Sequence, residues 1–136
     1  MIKLKVKGVS VDEAGHFFVI LVDDEETKIL PIGIGKLEAQ NIAMPIQGVT
    51  PPRPMTHDLL KSAIEELGGK PEKVVITEIK NDTYFAEVHI DKDNKDIVLD
   101  SRPSDAIALA VRCDIPIFMS FPLIEFTYNA SDVKLI

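Results

Sequence analysis

Residues 2–11 alternate, with Ile2, Leu4 and Val6 set against Lys3, Lys5 and Lys7, the period of a strand buried on one face. Asp12-Glu13-Ala14-Gly15 forms a turn, and the nearly unbroken apolar run of 16–22 predicts a second strand. The acidic stretch Asp23-Asp24-Glu25-Glu26 reads as a solvated hairpin loop before a third strand at 27–32, so the chain opens as an antiparallel meander. Gly33 and Gly35 then mark a strand-to-helix turn. Over 36–44 the pattern changes to a short helix with Leu37, Ile42 and Met44 available for a core, and Pro45 is expected to stop or kink it. The proline-rich segment 47–55 is irregular. Thr56 suits the cap of a helix over 57–67, whose apolar stripe is Leu59, Leu60, Ala63, Ile64 and Leu67 and whose end is Gly68-Gly69. Strands follow at 73–80 and 83–91, joined by Asn81-Asp82, a two-residue turn without the favoured glycine. Asp93-Asn94 turns the chain into Ile97-Val98-Leu99, which reads as a buried strand. Extended segments are expected at 116–119 and around 125–128.

The helix predicted from Pro103 to Arg112 organises the rest. Proline is tolerated in a first helical turn. From Ala106 to Val111 the helix is apolar on every side, which calls for burial between other elements. Ser101 or Arg102 would be the cap, and Asp105 falls in the first turn near the positive end of the helix dipole. Asp100 to Asp105 thus packs two carboxylates, one guanidinium and two hydroxyls into six residues. One reading is structural, because a charge taken out of water needs a partner and Arg102 has Asp100 and Asp105 beside it. The other is a ligand site at the strand–helix junction.

A net charge of −7 limits that ligand. Proteins that bind nucleic acid through their whole surface usually carry the opposite sign, so any such contact here is local or made through a metal ion. The lysine stripe of residues 3–7 reads as a solvated edge face. Cys113 is the sole cysteine, which excludes an intrachain disulfide and a cysteine zinc cluster. No apolar run approaches the ~20 residues needed to span a bilayer. The start carries no signal-peptide core, so a cytoplasmic location is the expectation. Gly33-Ile34-Gly35 lacks the spacing of a dinucleotide fingerprint. His57 and Asp58 lie in the first turn of their helix, where a neutral histidine is favoured and can act as base or ligand. Glu38 lies in the first turn of its own helix, where a carboxylate is favourable on structural grounds alone.

Four segments carry a resemblance when taken in order. They are Leu30-Pro31-Ile32-Gly33-Ile34-Gly35 with Glu38-Ala39; Arg53-Pro54-Met55-Thr56-His57-Asp58-Leu59-Leu60; Asn81-Asp82-Thr83-Tyr84-Phe85-Ala86; and Asp100 through Ala110. In this order and spacing the chain resembles the bifunctional nuclease domain family, most strongly over residues 5–120. The resemblance implies one α+β domain, residues 1–136, with a twisted, mixed but mostly antiparallel sheet and about three packed helices. For some plant members it also implies cleavage of both RNA and DNA. The chain departs from the family at Gly33, where members usually carry tryptophan, and in the order Tyr84-Phe85.

Two functional classes stay open. In the first, the domain is a nuclease of low sequence specificity acting on RNA or DNA with Mg²⁺ or Mn²⁺. Asp58, Asp100 and Asp105 would hold the metal, with Glu38 a further candidate. His57, Asp58 and Asp105 would be catalytic, with His57 as base. Arg53 and Arg102 would clamp phosphate, with Ser101 and Ser104 contributing to substrate binding. In the second, the same residues form an Asp–Arg network, and the domain is a non-catalytic, oligomeric module that binds an anionic ligand at two helix N-termini. Convergence of Asp58, Asp100 and Asp105 in an open cleft would favour the first, and burial against arginine the second. The cluster Phe118, Met119, Phe121 and Leu123 suggests a surplus of apolar surface and hence a dimer.

Overall fold

In a computed structural model, which describes residues 1–133, the chain folds as β1 (Ile2–Val11), β2 (Phe17–Asp23), β3 (Lys28–Ile34), α1 (Lys36–Ile46), α2 (Thr56–Glu66), β4 (Lys70–Lys80), β5 (Thr83–Lys92), β6 (Lys95–Ser101), α3 (Pro103–Cys113), β7 (Ile117–Met119) and β8 (Tyr128–Asn129). The eight strands form one sheet in the order β6-β5-β4-β7-β1-β2-β3-β8. Every neighbouring pair is antiparallel except β4 with β7. The expected α+β domain, with its mixed, mostly antiparallel sheet and three helices, is therefore present.

The core lies between the sheet and α3. Val19, Leu21, Leu30, Val74, Ile76, Val88 and Ile90 project from the strands toward Ala106, Ile107, Leu109 and Ala110 of α3, all buried. A smaller cluster of Ile20, Val22 and Ile29 covers the other sheet face. The β4–β5 and β5–β6 turns use left-handed residues without glycine: Asn81 and Asp82 have φ of 50° and 61°, Asp93 and Asn94 of 52° and 63°. Asparagine and aspartate tolerate that region best after glycine, so these turns keep the twist that matches the flanking strands.

Several expectations change. Ile97, Val98 and Leu99 are exposed, because β6 is an edge strand with nothing among the described residues packed beyond it. An apolar run of three cannot tell a central strand from an edge. Conversely, β1 is interior, between β7 and β2, so its lysines are not an edge device. Lys5 and Lys7 instead pair with Glu26 of the β2–β3 loop, at 3.5 and 2.6 Å. Thr56 is the first helical residue of α2 rather than its cap, which is Met55. Of the stretch expected to be extended around 125–128, only Thr127 and Tyr128 are, since Phe121–Phe126 is a 3-10 turn. Of the terminal apolar cluster, Met119 and Leu123 belong to the core and Phe121 is exposed.

Helix α1 runs through Pro45 to Ile46. Proline has no N–H to give the carbonyl four residues back, that of Asn41, which normally leaves a buried acceptor unpaired. Here Arg112 Nη1, from α3, donates to the Asn41 carbonyl at 2.8 Å. A side chain from another helix replaces the missing bond, so the helix continues where the local sequence predicts a break.

Candidate functional site

The first turns of α2 and α3 meet through side chains. His57, on α2, sets Nε2 2.9 Å from Asp105 Oδ1 on α3. The side chain is only 10 % exposed, and among the described residues its Nδ1 is buried without a partner. Those surroundings assign the tautomer. Nε2 faces a carboxylate and carries the proton, while Nδ1 is left as a bare acceptor; protonating it would bury a donor with nothing to receive it. The basic lone pair of His57 is therefore turned into the protein.

Asp105 also accepts two hydrogen bonds from Arg102, from Nε at 2.8 Å and from Nη2 at 3.2 Å. Arg102 Nη1 lies 3.6 Å from Glu38 Oε1 at the start of α1. The Arg102 guanidinium beside Asp105 holds its carboxyl below the usual aspartate range, against an opposing effect of burial, and the His57 hydrogen bond adds to the lowering. Asp105 raises Arg102 in return, with Glu38 adding to it. So Asp105 does not cap α3. It aims Arg102, which remains 64 % exposed. Two carboxylates converge here, and the cation between them is the chain's own arginine.

Asp58 is engaged elsewhere. Its Oδ2 accepts from the Met55 N–H at 2.8 Å, the reach-back bond of a capping box. Its Oδ1 accepts from Arg112 Nε at 2.7 Å. These bonds hold its carboxyl below the usual range, the Met55 N–H most strongly. Arg112 is 6 % exposed and donates also to the carbonyls of Asn41 and Ala108.

Two clefts flank this arrangement. The larger, about 790 Å³, is lined by Phe17, Phe18, Gly33, Tyr84, Arg102 and Ser104, with Lys36 and Glu38 at its side. Burial pushes the Tyr84 phenol up, so it stays a donor. The second, about 680 Å³, lies under the proline-rich loop and is lined by Arg53, Asp58, Lys61, Glu65 and Arg112. The residues expected to form one constellation are thus divided. Arg102 and Ser104 line the first cleft, Arg53 and Asp58 the second, and His57 with Asp105 connects the two helix starts. Ser101 gives its hydroxyl to the Arg102 carbonyl at 2.9 Å. Asp100 lies on the edge strand β6, opposite Glu87. Asp58, Asp100 and Asp105 are not gathered: among the described residues no three His, Cys, Asp or Glu side chains form a metal-binding group. Asp58 and Asp105 are each about one-third exposed and paired to arginine, so they are neither buried nor free.

Sequence reasoning missed Arg112, whose partner Asp58 lies 54 positions away. It also missed the cleft aromatics Phe17 and Phe18, which read only as strand core.

The family pattern of the bifunctional nuclease domain matches residues 19–128, most of the chain and all of the Glu38–His57–Arg102–Asp105 group. The chain belongs to the bifunctional nuclease domain family. An uncharacterized protein of Mycobacterium tuberculosis is 37 % identical over 118 residues, 86 % of this chain and 70 % of that protein. Bifunctional nuclease 1 of Oryza sativa subsp. japonica is 31 % identical over 110 residues, 78 % of this chain and 33 % of that protein. Bifunctional nuclease 2 of Arabidopsis thaliana is 32 % identical over 108 residues, 76 % of this chain and 33 % of that protein. The chain therefore spans about a third of the plant proteins. Phe17 and Phe18 fall outside the stretch that defines the bifunctional nuclease domain, whereas Gly33, Tyr84 and Ser104 fall within it. No helix among the described residues is long and apolar enough to cross a membrane.

Proposed function

We propose that this bifunctional nuclease domain hydrolyses phosphodiester bonds of RNA or DNA, with low sequence specificity, in the cleft beside Arg102. The observation that carries the reading is a single guanidinium, largely exposed and fixed by Asp105 and Glu38, at a cleft walled by aromatic rings. A held guanidinium matches a phosphate's oxygens in geometry as well as charge. Phe17, Phe18 and Tyr84 offer faces on which any base can stack, which suits loose specificity. In this reading His57 is a positioning residue: it holds Asp105, and Asp105 aims Arg102. Dependence on Mg²⁺ or Mn²⁺ belongs to the proposal because an acidic protein of net charge −7 repels a polyphosphate unless positive charge intervenes.

The second reading, a non-catalytic module for an anionic ligand, draws on the engagement of Asp58 and Asp105 with arginines. One experiment separates them. Purified wild type, Arg102→Gln and Asp105→Asn are assayed on single-stranded RNA and DNA with Mg²⁺, Mn²⁺ or chelator, and each protein is melted in parallel. The nuclease reading expects wild-type cleavage that chelator abolishes. It also expects a loss of at least about a hundredfold in Arg102→Gln, the size of removing one charge-stabilising donor, at an unchanged unfolding midpoint. Oligonucleotide binding without cleavage under every condition selects the second reading.

A further inference from the structure

We propose that the first turn of α3 is a phosphate cradle, in which the Ser104 hydroxyl and the backbone N–H groups of Ser104 and Asp105 hold one phosphate while Arg102 covers it. This rests on the nuclease reading for the polymer that carries the phosphate, not for the cradle itself. The cradle's centre is Ser104. It is 6 % exposed, yet it lines the larger cleft. Among the described residues its hydroxyl has no hydrogen-bond partner. The hydroxyl is not among the fully buried side-chain atoms left without a partner, so within an otherwise buried residue it opens on the cleft and is free to donate to a ligand there.

The backbone around it is equally unoccupied. Arg102 is the N-cap and makes no side-chain cap bond, and the first helical hydrogen bond runs from the Ala106 N–H to the Arg102 carbonyl. Pro103 has no N–H to offer. The N–H groups of Ser104 and Asp105 therefore point out of the helix end, where the dipole favours negative charge. The carboxylate that would ordinarily close such an end, Asp105, is drawn aside by Arg102 and His57. The contrast with α2 is direct, since Asp58 there reaches back to the Met55 N–H.

The cleft's charges set the class of ligand. Glu38 and Asp105 pair with Arg102, and Asp82 and Lys36 line the same cleft. The balance is close to neutral, which disfavours a highly charged polyphosphate and suits a phosphodiester carrying one negative charge. Gly33 leaves the wall open: a side chain begun there would first meet a Phe18 ring carbon at 3.9 Å. A base adjoining the held phosphate has room against Phe18.

The test is a titration of ¹⁵N-labelled protein with a dinucleoside monophosphate, its uncharged methylphosphonate analogue, and inorganic phosphate. The expected result is that the Ser104 and Asp105 amide resonances move with the charged dinucleotide and not with the methylphosphonate. Ser104→Ala, small enough for the site and a good helix former, should weaken the charged dinucleotide about tenfold, the scale of one hydrogen bond to a charged acceptor. Ser104→Ala should also melt near wild type. Movement of those amides without cleavage of any nucleic acid supports the cradle and overturns the nuclease reading. Cleavage by the wild type while the Ser104 and Asp105 amides stay fixed overturns the cradle and leaves the nuclease reading standing. Equal shifts with the methylphosphonate also overturn it, because the site would then be reading the bases.

Discussion

Replacing Asp58 by alanine should destabilise the fold through Arg112. The variant leaves a guanidinium, 6 % exposed in the native protein, bonded to two carbonyls but without a counter-charge. Removing one partner of a buried ion pair costs about 3–5 kcal/mol. Asp58 is itself about one-third exposed, so water reaches the vacated side and lowers that figure. Losing the bond to the Met55 N–H adds back about 0.5–1 kcal/mol, the lower range for a helix cap. The sum is about 2–4 kcal/mol, or roughly 6–15 °C in midpoint for a chain of this size. The assay is urea and thermal unfolding of wild type, Asp58→Ala, Arg112→Met and the double variant. With the charge gone, the double variant should be more stable than the sum of the single losses allows, by at least about 1.5 kcal/mol of coupling. A midpoint for Asp58→Ala within about 0.5 kcal/mol of wild type, the range of an ordinary surface change, would refute the reasoning.

Leu109→Ala should cost about 2–5 kcal/mol, since the side chain is buried in the α3 core; an unchanged denaturation midpoint would contradict that packing. Asp58 and Asp105 both ionise below the ordinary value of 3.8 in the folded state. Their contribution is present above that value and is lost as pH falls through the lower folded ones, so unfolding midpoints measured downward from pH 6 should fall mainly below pH about 4.5, and less steeply in Arg112→Met. The apolar side chains left exposed at Ile97, Leu99, Phe121 and Phe126 keep a dimer as the expectation; light scattering that returns the monomer mass across micromolar concentrations would reject it.

How much of this was legible in the sequence differs from element to element. The alternation of β1, the turns at Asn81-Asp82 and Asp93-Asn94, and the all-round apolar run of α3 are local signals, and each reads correctly from its own residues. The Arg102–Asp105 pair was legible as one of two local alternatives, Asp100 being the other, since cap and first turn bring residues three apart together. What could not be read depends on partners far away in the chain. Ile97 to Leu99 has the composition of a core strand, and only strand order makes it an edge. Pro45 has the local signature of a helix stop, and only Arg112 makes it tolerable. His57 looks like a base beside a carboxylate, and only the burial of Nδ1 turns its lone pair away from a substrate.

Two of these non-local facts, those at Pro45 and His57, share one cause, the polar ends of α3. Its middle is apolar and buried, with Ala106, Ala108 and Ala110 among its residues. Apolar packing is non-directional and by itself sets register weakly. The polar side chains at each end of α3 supply what the middle lacks. At the N-terminal end Arg102 reaches Glu38 of α1, and Asp105 reaches His57 of α2. At the C-terminal end Arg112 reaches the Asn41 carbonyl of α1 and Asp58 of α2. His57 and Asp58 are adjacent on α2 yet bind opposite ends of α3, so the start of α2 is held to α3 from both sides. A shift of α2 along α3 would lengthen one of these bonds whichever way it moved. The network that positions Arg102 is therefore also the one that sets helix register. For that reason Arg102→Gln, which leaves Asp105 its bond to His57, is a cleaner probe of chemistry than Asp105→Asn, which weakens the tie between two helices along with the charge.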